Sequence, residues 1–229
     1  MKKFVSRLLL VAIAAGFAAT ASAQEASNQK WSSPKPPKRY INIAYDWQKI
    51  DSKDAVGDNQ KSEWGAGMEF GTTYFLHPKP IVGMIRIGLD FTYLDLQYNN
   101  YREEVAGKVL SRSHFTSIGM QLGPSVTVSP IPRLHAKAYL RYSPTFSGYF
   151  SKTYATGGFL EDTFTFFGGY GSYITTGLSA SYSVATIGVE WRWGGGNLHK
   201  LDVDGEADIT TEKVKVKFPS TRLFVGFRF

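Results

Sequence analysis

From Ile41 to the C-terminus, apolar residues recur at every second position. That spacing aims successive side chains at opposite faces of an extended strand and fits no helix. Ile41, Ile43, Tyr45 and Trp47 share one face of the first segment, with Asn42, Ala44, Asp46 and Gln48 on the other. The same reading sets Trp64, Ala66, Met68, Phe70, Thr72 and Tyr74 against Gly65, Gly67, Glu69, Gly71 and Thr73. Segments of this kind follow at 85–93, 117–128, 134–143, 174–182 and 187–193, and the last runs over 222–229. Connections alternate in length. Long polar stretches at 49–63, 99–112, 144–172 and 194–219 are separated by His77-Pro78-Lys79-Pro80, Ser129-Pro130-Ile131-Pro132-Arg133 and a tight turn near Ser183 to Thr186. Eight antiparallel strands with short turns at one end and long loops at the other describe an all-β barrel. A hairpin within 144–172 would raise the count to ten.

The N-terminus follows a different rule. Lys2, Lys3 and Arg7 precede an apolar run from Leu8 to Thr20, and Ala21-Ser22-Ala23 closes it with small residues before Gln24. This is the pattern of a cleaved secretory signal over residues 1–23. Residues 24–38 read as a proline-rich lead-in, since Ser33-Pro34-Lys35-Pro36-Pro37-Lys38 cannot join a sheet. The barrel then occupies residues 39–229. The formal charge of +7 counts 26 basic side chains, three of them in the signal, which leaves 23 against 19 acidic ones. That excess is too mild to argue for nucleic acid. There is no cysteine, so disulfides, a lipid anchor on cysteine and thiolate chemistry are excluded.

Alternation alone does not say which face is inside. A barrel in water would turn its apolar face inward and cover the outside with Lys and Glu. Here the polar face is mostly Gly, Ser and Thr with a few charges, which suits a narrow interior. Tyr45, Trp47, Trp64, Tyr74, Tyr93, Tyr142, Tyr182, Trp191 and Trp193 lie on the apolar face near segment ends. They fit aromatic girdles at two bilayer interfaces. The expected fold is therefore an eight-stranded transmembrane β-barrel with short periplasmic turns, long extracellular loops and both termini in the periplasm.

The chain ends on Leu223-Phe224-Val225-Gly226-Phe227-Arg228-Phe229. This ending resembles the C-terminal assembly signal of outer-membrane barrels, carried by Leu223, Val225, Phe227 and Phe229. Gly226 stands nearer the terminus than in the commonest form of that signal. The resemblance implies recognition by the barrel-assembly machinery. The mature chain as a whole resembles the OmpA/OmpX-like small barrels, particularly the single-domain barrels of Bacteroidota. The resemblance implies an outer-membrane location in a Gram-negative bacterium and brings no catalytic motif with it.

Inward charges are the main candidate site. Glu69, Arg86, Lys137, Glu190 and Arg222 fall at similar heights above the periplasmic turns, with Asp90, Arg141 and Arg192 further out. An eight-stranded barrel is only wide enough for side chains, and buried charges must pair. The set reads as a structural plug in preference to an ion gate. His114-Phe115-Thr116 resembles in part the His-x-Ser pair of lipid A deacylases, with Glu103 or Glu104 available to orient the histidine; Thr116 stands where the serine would be. Asp202 to Asp208 does not match the spacing of a calcium loop, and Asp204-Gly205 reads as a hairpin turn. The apolar phase of Val214-Val216-Phe218 is opposite to that of Leu223-Val225-Phe227, which suggests a bulge at Pro219. His77, His135 and His199 have no companions at metal-ligand spacing, and no cofactor is implied.

The function expected is structural or surface-interactive, in envelope integrity or adhesion, for a monomer that is not an enzyme. Its expected partners are outer-membrane lipid and lipopolysaccharide, the assembly machinery, and an extracellular partner reached through the loops. A narrow channel for small or hydrophobic solutes is the first alternative, and a lipid A-modifying enzyme the second.

Overall fold

The computed structural model describes residues 36–52, 60–105, 108–153, 163–201 and 213–229. The export segment, most of the lead-in and the acidic stretch 202–212 lie outside them. The strands in chain order are β1 (Arg39–Gln48), β2 (Asp51–Ser52), β3 (Ser62–Phe75), β4 (Ile85–Val105), β5 (Lys108–Ile131), β6 (Leu134–Thr153), β7 (Thr163–Tyr182), β8 (Ala185–Leu201), β9 (Lys213–Lys217) and β10 (Ser220–Arg228). Each pairs antiparallel with its neighbour, and β10 returns to pair with both β8 and β1, so the sheet closes. β2 continues the line of β1, and β9 leads straight into β10. The ten segments are thus eight staves. β6 and β7 pair directly from Leu134↔Tyr182 to Thr153↔Thr163, so the described residues hold no extra hairpin.

The alternation has a physical meaning that is inverted relative to a protein in water. Leu122 is 48% exposed, Ile187 64% and Val225 59%, all on the outside of the ring. Asp46, Asp90, Arg222 and Thr175 are fully buried within it. An apolar outer surface around a charged interior is stable only where the solvent outside is hydrocarbon. Tyr45, Trp47, Trp64 and Trp193 mark the upper edge of this band, and Tyr74, Tyr182 and Phe229 the lower edge.

The strands run far past the bilayer. A crossing needs roughly 10 tilted residues, whereas β4 has 21 and β5 has 24. Much of what the sequence suggested as loop, at 99–112, 144–172 and 194–219, is therefore strand. Above the aromatic edge the pattern reverses. Ile50, Tyr101, Phe115, Tyr149, Phe167, Tyr173, Leu198, Val214, Val216 and Phe218 point inward and form an apolar core. Phe115 and Phe218 stack with centroids 4.5 Å apart. Outside the membrane the surroundings are water, so the sheet turns its apolar face back inside.

That reversal corrects the reading of Pro219. Lys217 pairs with Gly195 and Ser220 with Arg192, and the Phe218 N–H donates to the Gly194 carbonyl at 3.0 Å, so the register passes Pro219 unshifted. The change of apolar phase marks the change of solvent, not a bulge. A real bulge lies elsewhere. On β4, Thr92 pairs with Gln121 and Asp95 with Gly119, which places one extra residue at Tyr93–Leu94. Below it the odd-numbered residues of β4 face lipid. Above it Asp95, Gln97 and Asn99 face inward and are buried.

Short turns close the lower end at Pro132–Arg133 and Ser183–Val184, and Val82 (φ 50°) and Ser183 (φ 56°) take the left-handed conformation that tight reversals require. Inside the ring, two glycines make room for large neighbours. A Cβ at Gly71 would collide with the ring of its cross-strand partner Tyr40, and one at Gly177 with the ring of Tyr139.

Candidate functional site: the charged interior

Five carboxylates and four cations meet at the level of the bilayer, all fully or nearly fully buried: Asp46, Glu69, Asp90, Asp95 and Glu190 with Lys137, Arg141, Arg192 and Arg222. They come from six of the eight staves, so the site exists only in the closed ring.

The network has two linked centres. Asp90 of β4 is the lower one. Its Oδ1 accepts from Lys137 Nζ at 2.6 Å, Thr73 Oγ1 at 2.9 Å and Ser125 Oγ at 3.0 Å. Its Oδ2 accepts from Arg141 Nη2 at 3.0 Å and Nε at 3.3 Å. Arg141 then reaches sideways, donating to Gln121 Oε1 at 3.0 Å and to Glu190 Oε1 at 3.4 Å. Its guanidinium lies 3.7 Å from the centre of the Tyr139 ring, an arrangement that satisfies a cation with a π face. Tyr139 donates its own hydroxyl to Glu190 at 2.6 Å.

Arg222 of β10 is the upper centre. Its Nη1 donates to Asp95 Oδ1 at 2.8 Å and to Glu69 Oε1 at 3.3 Å, and lies 3.9 Å from Glu190 Oε2. Its Nε is 3.6 Å from Asp46 Oδ2. Arg192 of β8 donates to the other Asp95 oxygen and, at 2.9 Å, to Gln97 Oε1. Gln97 and Asn99 in turn donate to Asp46. Glu69 also accepts from Asn42 and Gln121, both at 3.1 Å. Each charge has an opposite charge within 3.9 Å, and most accept from or donate to an amide or hydroxyl as well, the condition for keeping ions in a narrow, dry space. Among the described residues, Asp46 Oδ1 and Arg222 Nη2 are left without a hydrogen-bond partner.

The structure groups the sequence candidates differently from their heights above the turns. Lys137 joins Asp90 and Arg141, while Glu69, Glu190 and Arg222 meet around the upper centre. Arg86 sits lower, donating to the Pro78 carbonyl at 3.3 Å. Strands in a barrel are tilted, so equal distance from a turn on two staves is not equal height. Two members went unrecognised in the sequence. Asp46 was legible on the polar face of β1. Asp95 was not, because only the bulge turns it inward.

Outside the ring, His114 and Thr116 do share the outward face of β5. His114 Nδ1 bonds the Tyr98 hydroxyl at 2.7 Å. Glu103, the suggested orienting acid, instead accepts from Ser111 at 3.1 Å. Nothing of the Glu104 side chain is described. Among the described groups, no carboxylate completes a hydrolytic arrangement around His114.

A closed antiparallel ring with a lipid-facing apolar band, aromatic edges and paired charges inside is a small outer-membrane β-barrel of a Gram-negative bacterium. No family model matches the chain, and no curated protein matches its sequence. Solved structures do resemble it in fold. Ail, the attachment invasion locus protein of Yersinia pestis, is 13% identical, with 85% of this chain and 99% of that chain covered and a TM-score of 0.40. Neisserial surface protein A is 14% identical, with coverage of 83% and 97% and a TM-score of 0.43. The outer membrane protease OmpT of Escherichia coli is 9% identical, with coverage of 88% and 99% and a TM-score of 0.45. At these identities the likeness concerns the fold.

Proposed function

We propose that this protein is a monomeric barrel closed to ions, which is exported with loss of residues 1–23 and serves a structural or surface-contact role in the envelope. The observation that carries the reading is the two-storey filling of the lumen. Paired charges occupy the bilayer level, with Arg141 and Arg192 each 1% exposed and Arg222 at 0%. The apolar core around Phe115, Tyr173 and Phe218 fills the storey above them. A conducting pore needs a continuous hydrated path, and these two layers leave side chains in its place. The projecting upper storey gives the barrel a packed platform outside the membrane, suited to contact with other surfaces.

Planar-bilayer recording tests the proposal. The purified mature barrel should insert without producing steady unitary currents. Steady wild-type conductance, with selectivity that shifts on substitution of Glu69, would replace the closed barrel by the channel reading. Outer-membrane fractions should contain protein that begins at Gln24.

A further inference from the structure

One side of the outer wall carries concentrated positive charge just above the aromatic edge. On β9, Lys213, Lys215 and Lys217 are exposed while Val214 and Val216 between them are buried. The lysines therefore form a ladder on the outer face, with steps of about 6.6 Å. Lys217 lies cross-strand from Gly195 on one side and Asp51 on the other. This brings the ladder beside the Lys49–Lys61 bridge that links the tops of the β1 and β3 staves. Among the described residues, the neighbouring outer face sets Asp51 and Glu63 against these five lysines, and Glu63 is held toward Asn100 at 3.2 Å.

The height of this patch is fixed by its neighbours. Lys49 stands two residues beyond Trp47 on the β1 line. Lys217 stands opposite Gly195, two residues beyond Trp193. Two residues of a tilted strand rise about 5 Å. Interfacial tryptophans mark the headgroup level, so Lys49 and Lys217 lie in or just above the layer where lipid phosphates sit. Lys215 and Lys213, opposite Asn197 and His199, stand about 5 and about 10 Å higher, level with the outer sugars of a glycolipid headgroup. Directly below run the apolar outer residues Ile187, Val189, Leu223 and Ile43.

We propose that this face, across β8, β9, β1 and β3, binds the phosphorylated headgroup of an outer-leaflet glycolipid. Charge complementarity supplies the anion, and continuity with the apolar band chooses its source. A lipid sets its phosphates against the lysines and its acyl chains against the wall beneath, whereas a soluble polyanion uses only the upper half. The assignment is independent of whether the lumen is closed, since none of these side chains enters it.

The test uses the mature barrel in phosphatidylcholine nanodiscs doped with bisphosphorylated lipid A, with retained lipid counted by native mass spectrometry. The variant Lys213→Gln/Lys215→Gln/Lys217→Gln should lose retention by roughly fivefold per lysine removed. Wild type and variant should hold dephosphorylated lipid A equally poorly, and added salt should narrow the gap between them. Equal retention of bisphosphorylated lipid A by the variant would overturn the proposal. So would wild-type binding of a soluble sulfated polysaccharide without preference for the phosphorylated lipid. Heat-modifiable gel mobility reports folding, and Lys49→Gln/Lys61→Gln provides a second, independent weakening should the triple variant fail to fold. Unchanged conductance and melting in either variant separate this result from the closed-lumen reading.

Discussion

Replacing Asp90 by Asn tests the interior network at its most connected acid. The substitution keeps the shape of the side chain and removes its charge. Lys137 then loses its counter-charge and keeps neutral acceptors only, the new amide oxygen and the Thr73 hydroxyl 2.7 Å away. Its side chain is 2% exposed, so water does not replace the lost carboxylate. Arg141 is less exposed to the change, because it keeps Gln121 and Glu190. The loss is thus two charge-assisted contacts, at about 1.5–3 kcal/mol each. That agrees with about 3–5 kcal/mol for stranding one partner of a buried pair. The double variant Asp90→Asn/Lys137→Met should recover a large part of the loss, since the orphaned ammonium is gone. Urea unfolding in detergent micelles, followed by tryptophan emission and gel mobility, measures both. A single variant within about 1 kcal/mol of the parent, or a double variant no more stable than the single, would refute the paired interior.

Four further outcomes probe other layers of the fold. Leu89→Arg should cost about 2–4 kcal/mol if that outward residue of β4 lies in the bilayer, whereas Leu89→Met should stay near the parent; the same unfolding assay compares them. Phe229→Asp should slow insertion and leave chains in the periplasm, as pulse-chase fractionation would show. Phe218→Ala should destabilise the upper storey by about 3–5 kcal/mol, read as earlier proteolysis of that region. Gly123→Ala should prevent normal pairing of β5 and β6, because its Cβ would overlap the Leu140 carbonyl oxygen; loss of the heat-modifiable band would report it.

Several features were legible because strand geometry is local. Period-two alternation located the staves within the bilayer and assigned the faces of Leu89, Leu122, Ile187 and Val225 without any long-range information. The inward placement of Glu69, Asp90, Arg141, Glu190 and Arg222 followed from the same parity. The Pro78, Pro132 and Ser183 turns were marked by residues that reverse a chain.

What stayed hidden depends on the ring as a whole. The extracellular halves of β4 to β8 read as loops, because a strand leaving the bilayer swaps the polarity of its two faces. Tyr101, Phe115, Tyr149 and Leu198 are then scattered apolar residues in a polar stretch until the facing staves bring them together. The bulge at Tyr93–Leu94 is set by pairing with β5, and it alone decides that Asp95 meets Arg192 and Arg222 and not lipid. The stagger between tilted staves decides who pairs with whom, so Lys137 finds Asp90 although equal counting from the turns set it beside Glu69. The sequence by itself determined the two faces of each membrane-spanning stave, because alternation is a property of one strand. Only closure of the sheet decided the height, partner and register of each inward charge, because these are relations between strands distant in the chain.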